Sequence, residues 1–353
     1  MKGKLTLVYP QCADAKRTER LNALLDEILK EYEYTVIKYA EEFVPLKNQK
    51  ILFAIPLGIS GINLEYFHFL KILRTHSDML KGSVGGIIVD GESELYTKSV
   101  AREFMFTANQ AGCSFPGRAM VEGTESLQNF NIQAMRLETD NLTAYHIAAK
   151  EMLERVMAFQ PRPKKKTNIL VLHASNFKTS NTSELWNMVK ENLHDCEIEE
   201  ISLRNGTIQD CSGCPYRMCM HYSEKSSCYY GGVIAEQVYP AILKCDALVL
   251  LCPNYNDALS ANITAFINRL TALFRKTAFY EKTVYAIVVS GYSGGNIVAE
   301  QVISALSMNK TFRLPAYFSM VETANDPMSI LKVDGIEERA HAFADNMMHV
   351  LVQ

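Results

Sequence analysis

One pattern of short apolar strands and helical stretches runs through this chain twice, and few folds can accommodate that. In the second half the runs NILVLHA, EIEEISL, ALVLLCP and VYAIVVSG alternate with helical segments. ALVLLCP and VYAIVVSG are apolar almost throughout, as strands must be when helices cover both faces of a parallel sheet. Between them, NITAFINRLTALF sets Ile263, Phe266, Ile267, Leu270 and Phe274 at helical spacing. Strand and helix in strict alternation specify an α/β fold with a doubly wound parallel sheet. The first half repeats the scheme with KLTLVYP, YTVIKYA, KILFAIP and GGIIVDG.

The correspondence extends to single residues. LFAIPLGISGINLEYFHFLKIL aligns with LVLLCPNYNDALSANITAFINRL, setting Pro56 against Pro253 and Phe69 against Phe266. Further on, Gly91 falls against Gly291 and Glu122 against Glu322. An offset that stays near two hundred residues implies an internal duplication. The proline- and lysine-rich stretch QPRPKKKTN reads as a solvated connection. The expected organisation is therefore a domain at residues 1–160, a linker at 161–166 and a domain at 167–353. Between Tyr39 and Gln49 the first copy is too short for a crossover helix. At the same place the second copy inserts a cysteine-rich stretch and then GGVIAEQVYPAILKC.

Composition narrows the class. A net charge of −3 and a pI near 6.3 give no general attraction to nucleic acid or anionic lipid. The opening MKGKLTLVYPQ is too brief in its apolar run for a signal peptide and reads as a buried first strand. No apolar run is long enough to span a bilayer. Nine cysteines, an odd number without a secretion signal, point to the reducing cytoplasm.

The first strand of the second half runs into HASNFKTSNTSELWNMVKENL. A strand, a hydroxyl-rich loop and a helix make a phosphate-binding arrangement, because the helix start offers free N–H groups and the positive end of its dipole. Ser175, Ser180, Asn181 and Thr182 add side-chain donors, and Asn181 with Glu184 suggests a capping box. Capping alone would also account for these residues. The helix has Leu185, Met188, Val189 and Leu193 on one face. Neither G-x-G-x-x-G nor G-x-x-x-x-G-K-[ST] occurs here, which argues against a Rossmann dinucleotide site and an NTPase. Two more loops follow strand ends, PNYNDALS from Pro253 and SGYSGGN from Ser290. Ligands of doubly wound sheets bind beyond those ends. Tyr255 and Tyr292 can stack on a ring, so the three loops together suit an aromatic mononucleotide.

With these motifs in view, the second half resembles the flavodoxin-like NAD(P)H-dependent FMN reductases. The resemblance implies that Ser175, Ser180, Asn181 and Thr182 hold the FMN phosphate. Lys178 stands nearest to the arginine often found in that loop. It also implies that Pro253, Asn254, Tyr255 and Asn256, with Ser290, Gly291, Tyr292, Ser293, Gly294 and Gly295, border the isoalloxazine ring. The first copy has few hydroxyls in YPQCADAKRT and has Leu57, Gly58 and Ile59 where the second has Asn254, Tyr255 and Asn256. One FMN per chain is expected. Lys16 and Arg17 read as solvated residues at a helix start.

The inserted stretch CSGCPYRMCMHYSEKSSC has the spacing C-x2-C-x4-C-x8-C. Cys211, Cys214, Cys219 and Cys228 can hold a cluster, hold zinc, or act as redox thiols. Iron–sulfur flavoproteins within the same family carry a compact cysteine motif in this connection for a [4Fe–4S] cluster, though with shorter later spacings. His221 reads as an exposed loop residue, and Cys12, Cys113, Cys196, Cys245 and Cys252 as small packed side chains. Lying after the second strand, the four cysteines are expected beside the ligand loops.

The reading is thus a cytoplasmic NAD(P)H oxidoreductase of two tandem flavodoxin-like domains, metal-binding if the cysteines hold a cluster. Electrons pass from NAD(P)H through FMN to an unspecified acceptor, and homo-oligomers are expected around the flavin. No acid–base residue is named, since the flavin carries the chemistry. The alternatives are a non-turnover redox sensor or electron-transfer protein, and a zinc-stabilised interaction protein on an inert scaffold.

Overall fold

The computed structural model describes residues 2–13, 15–16, 18–175, 179–204 and 208–353. The chain divides into two units, Met1–Gln160 and Pro161–Gln353.

In the first unit, β1 (Lys4–Val8) leads to α1 (Glu19–Leu29), then β2 (Glu33–Ile37) and β3 (Lys50–Leu57). A single 3-10 turn, Ala40–Glu42, replaces a helix between β2 and β3. α2 (Leu64–Thr75), β4 (Ser83–Gly91), α3 (Thr97–Gln110), β5 (Cys113–Ser114) and β6 (Met120–Gly123) follow. α4 (Asn131–Leu137) and α5 (Asn141–Ala158) end the unit. The sheet order is β2-β1-β3-β4-β5, with β6 also pairing with β4, and every pairing is parallel. β4 is buried along its whole length, which explains its lack of polar alternation.

The second unit contains β7 (Thr167–His173), α6 (Asn181–Glu191), β8 (Cys196–Ser202) and α7 (Tyr216–Ser223). A π turn, Ile234–Val238, then runs into α8 (Tyr239–Lys244). The widened turn precedes Pro240, whose ring could not fit a regular helical turn there. Next come β9 (Ala247–Pro253), α9 (Ala261–Phe274), β10 (Thr283–Ser290), α10 (Gly295–Val302), β11 (Ser319–Thr323) and α11 (Ile336–Leu351). Its sheet is β11-β10-β9-β7-β8, again all parallel. Counted within each unit, both sheets follow the order 2-1-3-4-5. That is the flavodoxin-like order, with its ligand crevice between strands one and three.

Period-two alternation divides the second core. Ile169, Val171, Val249, Leu251, Tyr285, Ile287 and Met320 pack with Leu185, Trp186 and Val189 of α6 and Ala344 and Met347 of α11. The alternate strand residues point to the opposite face, where α8 packs on β7 and α10 on β10. Trp186 is 1% exposed and donates from Nε1 to Glu200 at 3.0 Å.

Strand register supports the duplication. Val89 pairs with Glu122 in the first unit, and Val289 pairs with Glu322 in the second. The match is looser at the prolines, because Pro56 pairs with Asp90 whereas Pro253 pairs with Val289. Residues 161–166 form no detached linker. Lys164 donates its backbone N–H to Leu351 O at 2.9 Å, its Nζ meets Asp246, and Lys166 meets Glu197.

Candidate active-site crevice

A crevice of about 440 Å³ opens beyond the ends of β7, β9, β10 and β11. The volume suits a small-molecule ligand. The loop after β7 contributes Ser175, Thr179 and Ser180, and α6 contributes Asn181 and Thr182. Lys178 lies outside the described residues, as does Arg17 in the first unit. Ser180 is the N-cap of α6, its hydroxyl accepting from Ser183 N at 3.4 Å. The capping box expected between Asn181 and Glu184 does not form, because Asn181 has other partners. Its Nδ2 donates to Ala324 O at 3.0 Å and Asp326 O at 2.8 Å, and its Oδ1 accepts from Ile330 N at 3.2 Å. The Asn181 side chain therefore ties the start of α6 to the segment after β11.

The loop after β9 contributes Pro253, Asn254 and Tyr255. Asn254 Nδ2 reaches Ser293 O at 2.8 Å and the Ser290 hydroxyl at 3.2 Å, joining this loop to the one after β10. Its Oδ1 is buried without a partner. Asn256 and Asp257 both have left-handed backbones, with φ of 54° and 56°, and turn the chain back so that Tyr255 pairs with Ala258. Tyr255 is 54% exposed and Tyr292 is 81% exposed, both large for aromatic rings.

Of the expected run from Ser290 to Gly295, Gly291 lines the crevice directly. A Cβ at Gly291 would come within 2.8 Å of Asn325 Oδ1. Ser290 lies beneath at 1% exposure. Gly294 is the N-cap of α10 with φ of 81°, and a Cβ there would collide with Asp257 Oδ1. Ser293, Gly294 and Gly295 thus shape the loop rather than line the cavity.

Sequence reasoning missed Ala324, Asn325 and Pro327, which close the crevice from the loop after β11. Their signal was positional, since that loop also follows a strand's C-terminal end. It missed Gln301 too, which accepts from Leu259 N at 3.0 Å and donates to Asp257 O at 2.9 Å.

Residues 167–326 match the family described as NADPH-dependent FMN reductase. The FMN reductase match covers most of the second unit. No curated protein matches the chain. Among solved structures, RosB with bound 8-demethyl-8-formylriboflavin-5'-phosphate is 14% identical over 52% of this chain and 78% of its own, with a TM-score of 0.41. An NAD(P)H:quinone oxidoreductase from Methanothermobacter marburgensis is 15% identical over 52% of this chain and 97% of its own, with a TM-score of 0.40. The Trp repressor binding protein from Bacillus subtilis is 19% identical over 49% and 94%, with a TM-score of 0.33.

In the second unit, His173 ends β7 beside the crevice. Burial pushes its imidazole below the usual value of 6.5, against the pull of Glu200. Cys252 is fully buried at the end of β9, and burial raises its thiol far above the usual range. The packing expected of Cys12, Cys113, Cys245 and Cys252 holds, while Cys196 is half-buried.

The four clustered cysteines of the second unit do not join the crevice. Cys211, Cys214, Cys219 and Cys228 line a separate cavity of about 130 Å³ with Tyr222, Tyr229 and Tyr230, against residues 268–275 of α9. The two cavities share no lining residue. α9 begins at the crevice edge of the sheet and runs back alongside the strands. Arg269 lies eight residues after Ala261, about 12 Å down the helix at 1.5 Å per residue. The expectation that the cysteines sit among the ligand loops is corrected accordingly. All four are free thiols, and His221 is exposed on α7. Among the described residues no three His, Cys, Asp or Glu side chains converge as ligands of one metal ion.

At the equivalent strand end of the first unit, the described residues bond to one another. Arg20, in the first turn of α1, makes a bidentate pair with Asp90 at the end of β4. It also donates to the carbonyls of Gly91, Gly123 and Glu125. Glu92 accepts from Lys16 N in the loop that would otherwise receive a phosphate. Among the described residues, no helix is long and apolar enough to cross a membrane.

Proposed function

We propose that the crevice of the second unit binds FMN, that NAD(P)H is the electron donor, and that the electrons pass to a further acceptor. The observation that carries this reading is the crevice itself. It lies at the topological switch of a 2-1-3-4-5 sheet and is bounded by the start of α6, the Asn254–Ser293 staple and Gly291, in a unit most of which matches the FMN reductase family.

The residues present fit the cofactor. The N-terminus of α6, Ser175, Ser180 and Thr182 form the phosphate end, with backbone N–H groups as the main donors. Asn254 offers a buried acceptor without a partner, which a ring N–H can satisfy. Tyr255 and Tyr292 present exposed faces for stacking or for shielding the ring edge from water. FMN, when bound, supplies a hydride acceptor able to release electrons singly or in pairs. The protein's own work is orientation and exclusion of water.

For the four-cysteine cavity the reading is a [4Fe–4S] cluster rather than a single ion. The four cysteines border one space, and a cubane takes four thiolate ligands. A zinc ion requires ligand sulfurs about 2.3 Å from one point, and no such convergence occurs among the described residues. A cluster there would make the unit a two-centre electron carrier.

The test is titration of the cofactor-free protein with FMN and riboflavin, followed by anaerobic NADPH. FMN should bind at least tenfold more tightly than riboflavin, and NADPH should bleach the bound yellow colour. Equal affinities would remove the phosphate end from the reading. Bound FMN that NADPH and NADH both fail to bleach would favour a non-turnover redox protein.

A further inference from the structure

The four cysteines share their cavity with two arginines. Arg269 and Arg275 of α9 both line it, and no carboxylate is among the residues that border it. Arg269 is 2% exposed, an uncommon position for a guanidinium. Its Nη1 donates to Gln209 O at 3.3 Å and its Nη2 to Gly231 O at 2.5 Å. Gln209 precedes Cys211 and Gly231 follows Cys228, so one side chain fastens both ends of the segment that carries the thiols. Its Nε is buried without a partner. Arg275 donates from Nε to the Cys219 sulfur at 3.2 Å, and its guanidinium lies 4.8 Å from the centre of the Tyr216 ring.

Neither arginine can shed its proton. Two fixed positive charges therefore line this cavity, and among the described residues neither makes an ion pair, the Asp210 carboxylate being bonded to Cys211 N and Asn268 Nδ2; such an arrangement is costly unless an anion joins them. Four thiolates around iron and sulfide form such an anion. Its charge becomes more negative by one when the centre takes up an electron, and nearby cations favour that state.

We propose that Arg269 and Arg275 are the counter-cations of a four-thiolate centre, with Arg275 raising its reduction potential and Arg269 also closing the loop around it. The inference rests on the cluster reading above. It differs from that reading in assigning roles to α9, a helix with no cysteine.

The experiment uses the full chain, reconstituted anaerobically with ferrous iron and sulfide, and the variants Arg275→Gln, Arg275→Lys and Arg269→Gln. Iron and sulfide are counted per chain. The midpoint potential is read by electron paramagnetic resonance during titration with dithionite, which donates one electron to the centre. Arg275→Gln should keep its iron but lower the reduced-to-oxidised ratio at fixed potential about tenfold, a fall of about 59 mV for one electron. Arg275→Lys should restore most of it. Arg269→Gln should lose most of its iron while helix content stays unchanged. A wild-type potential in Arg275→Gln, or full iron in Arg269→Gln, would overturn the corresponding role while leaving the cluster standing. A wild-type chain that takes up no iron and sulfide would remove both the cluster and this proposal.

Discussion

Arg20 grips Asp90 through two parallel hydrogen bonds, 3.0 Å from Nε to Oδ2 and 2.9 Å from Nη2 to Oδ1, where the first unit's sheet ends. Tyr145 adds a third, its hydroxyl donating to Asp90 Oδ2 at 2.8 Å. The carboxylate is 6% exposed at its side chain and the guanidinium 23%. In the second unit the corresponding strand end carries Ser290, bonded to Asn254, and an open crevice. One copy sets an ion pair at the strand end where the other has a crevice.

Removing one partner of that pair should cost more than removing both. Arg20→Met should destabilise the first unit by about 3 kcal/mol, because it leaves a buried carboxylate uncompensated. Arg20→Met with Asp90→Leu should recover more than half of the loss. Urea unfolding of the single and double variants checks this. A double variant as unstable as the single one would show that the pair acts by packing.

Asn181 and Ser180 should separate in their effects on cofactor binding. Asn181→Ala strips partners from the Ala324 and Asp326 carbonyls and should cost about 1–2 kcal/mol of stability. It should weaken FMN and riboflavin alike, since it loosens the crevice wall. Ser180→Ala should weaken FMN several-fold and leave riboflavin nearly unchanged. Isothermal titration of both ligands distinguishes the two patterns, and the reverse assignment would make Asn181 the phosphate ligand.

His173 makes the second unit sensitive to acid. Its imidazole titrates below 6.5 when folded and near 6.5 when unfolded. The unfolded chain therefore binds more protons in that window, and stability falls as pH drops from about 6.5 through the folded value. His173→Gln should flatten the dependence in that range. Thermal unfolding of the wild type and the variant between pH 5 and 8 measures it, and parallel curves would remove His173 as the cause.

The two proposed cofactor sites should be separable. Cys214→Ala should abolish bound iron in anaerobically prepared protein and leave FMN largely in place, because the cavities have no residue in common. Protein fully loaded with FMN, protected from oxygen and still free of iron would reject the cluster. Loss of FMN together with iron would show that the cysteine segment supports the crevice.

Much of the fold was legible because buried parallel strands announce themselves. ALVLLCP and VYAIVVSG are apolar almost throughout, and each became a buried strand. The repeat of the pattern was visible for a related reason, since Glu122 and Glu322 hold the same register relative to Val89 and Val289. What could not be read was the use of polar side chains whose partners are distant in sequence. Asn181 looked like a ligand-binding residue, and its partners lie more than 140 residues away. The cysteine cavity was misplaced for a geometric reason. A connection that starts at one edge of a sheet can run down a helix flank, and spacing alone does not record direction. Arg269 gave no signal at all, since a lone arginine in an amphipathic helix reads as a solvated charge.

β8 sets the width of the second sheet. It is an outermost strand, and Glu197, Glu199 and Glu200 along it are exposed, with Lys166 and Lys244 drawn to Glu197 and Lys190 to Glu200. A sixth strand from any other chain would have to strip water from those charges to reach the open backbone edge. The same row of acids that looks like ordinary surface polarity is thus a barrier to aggregation. Replacing it with threonine or valine would leave a ready template for fibrous, edge-to-edge growth.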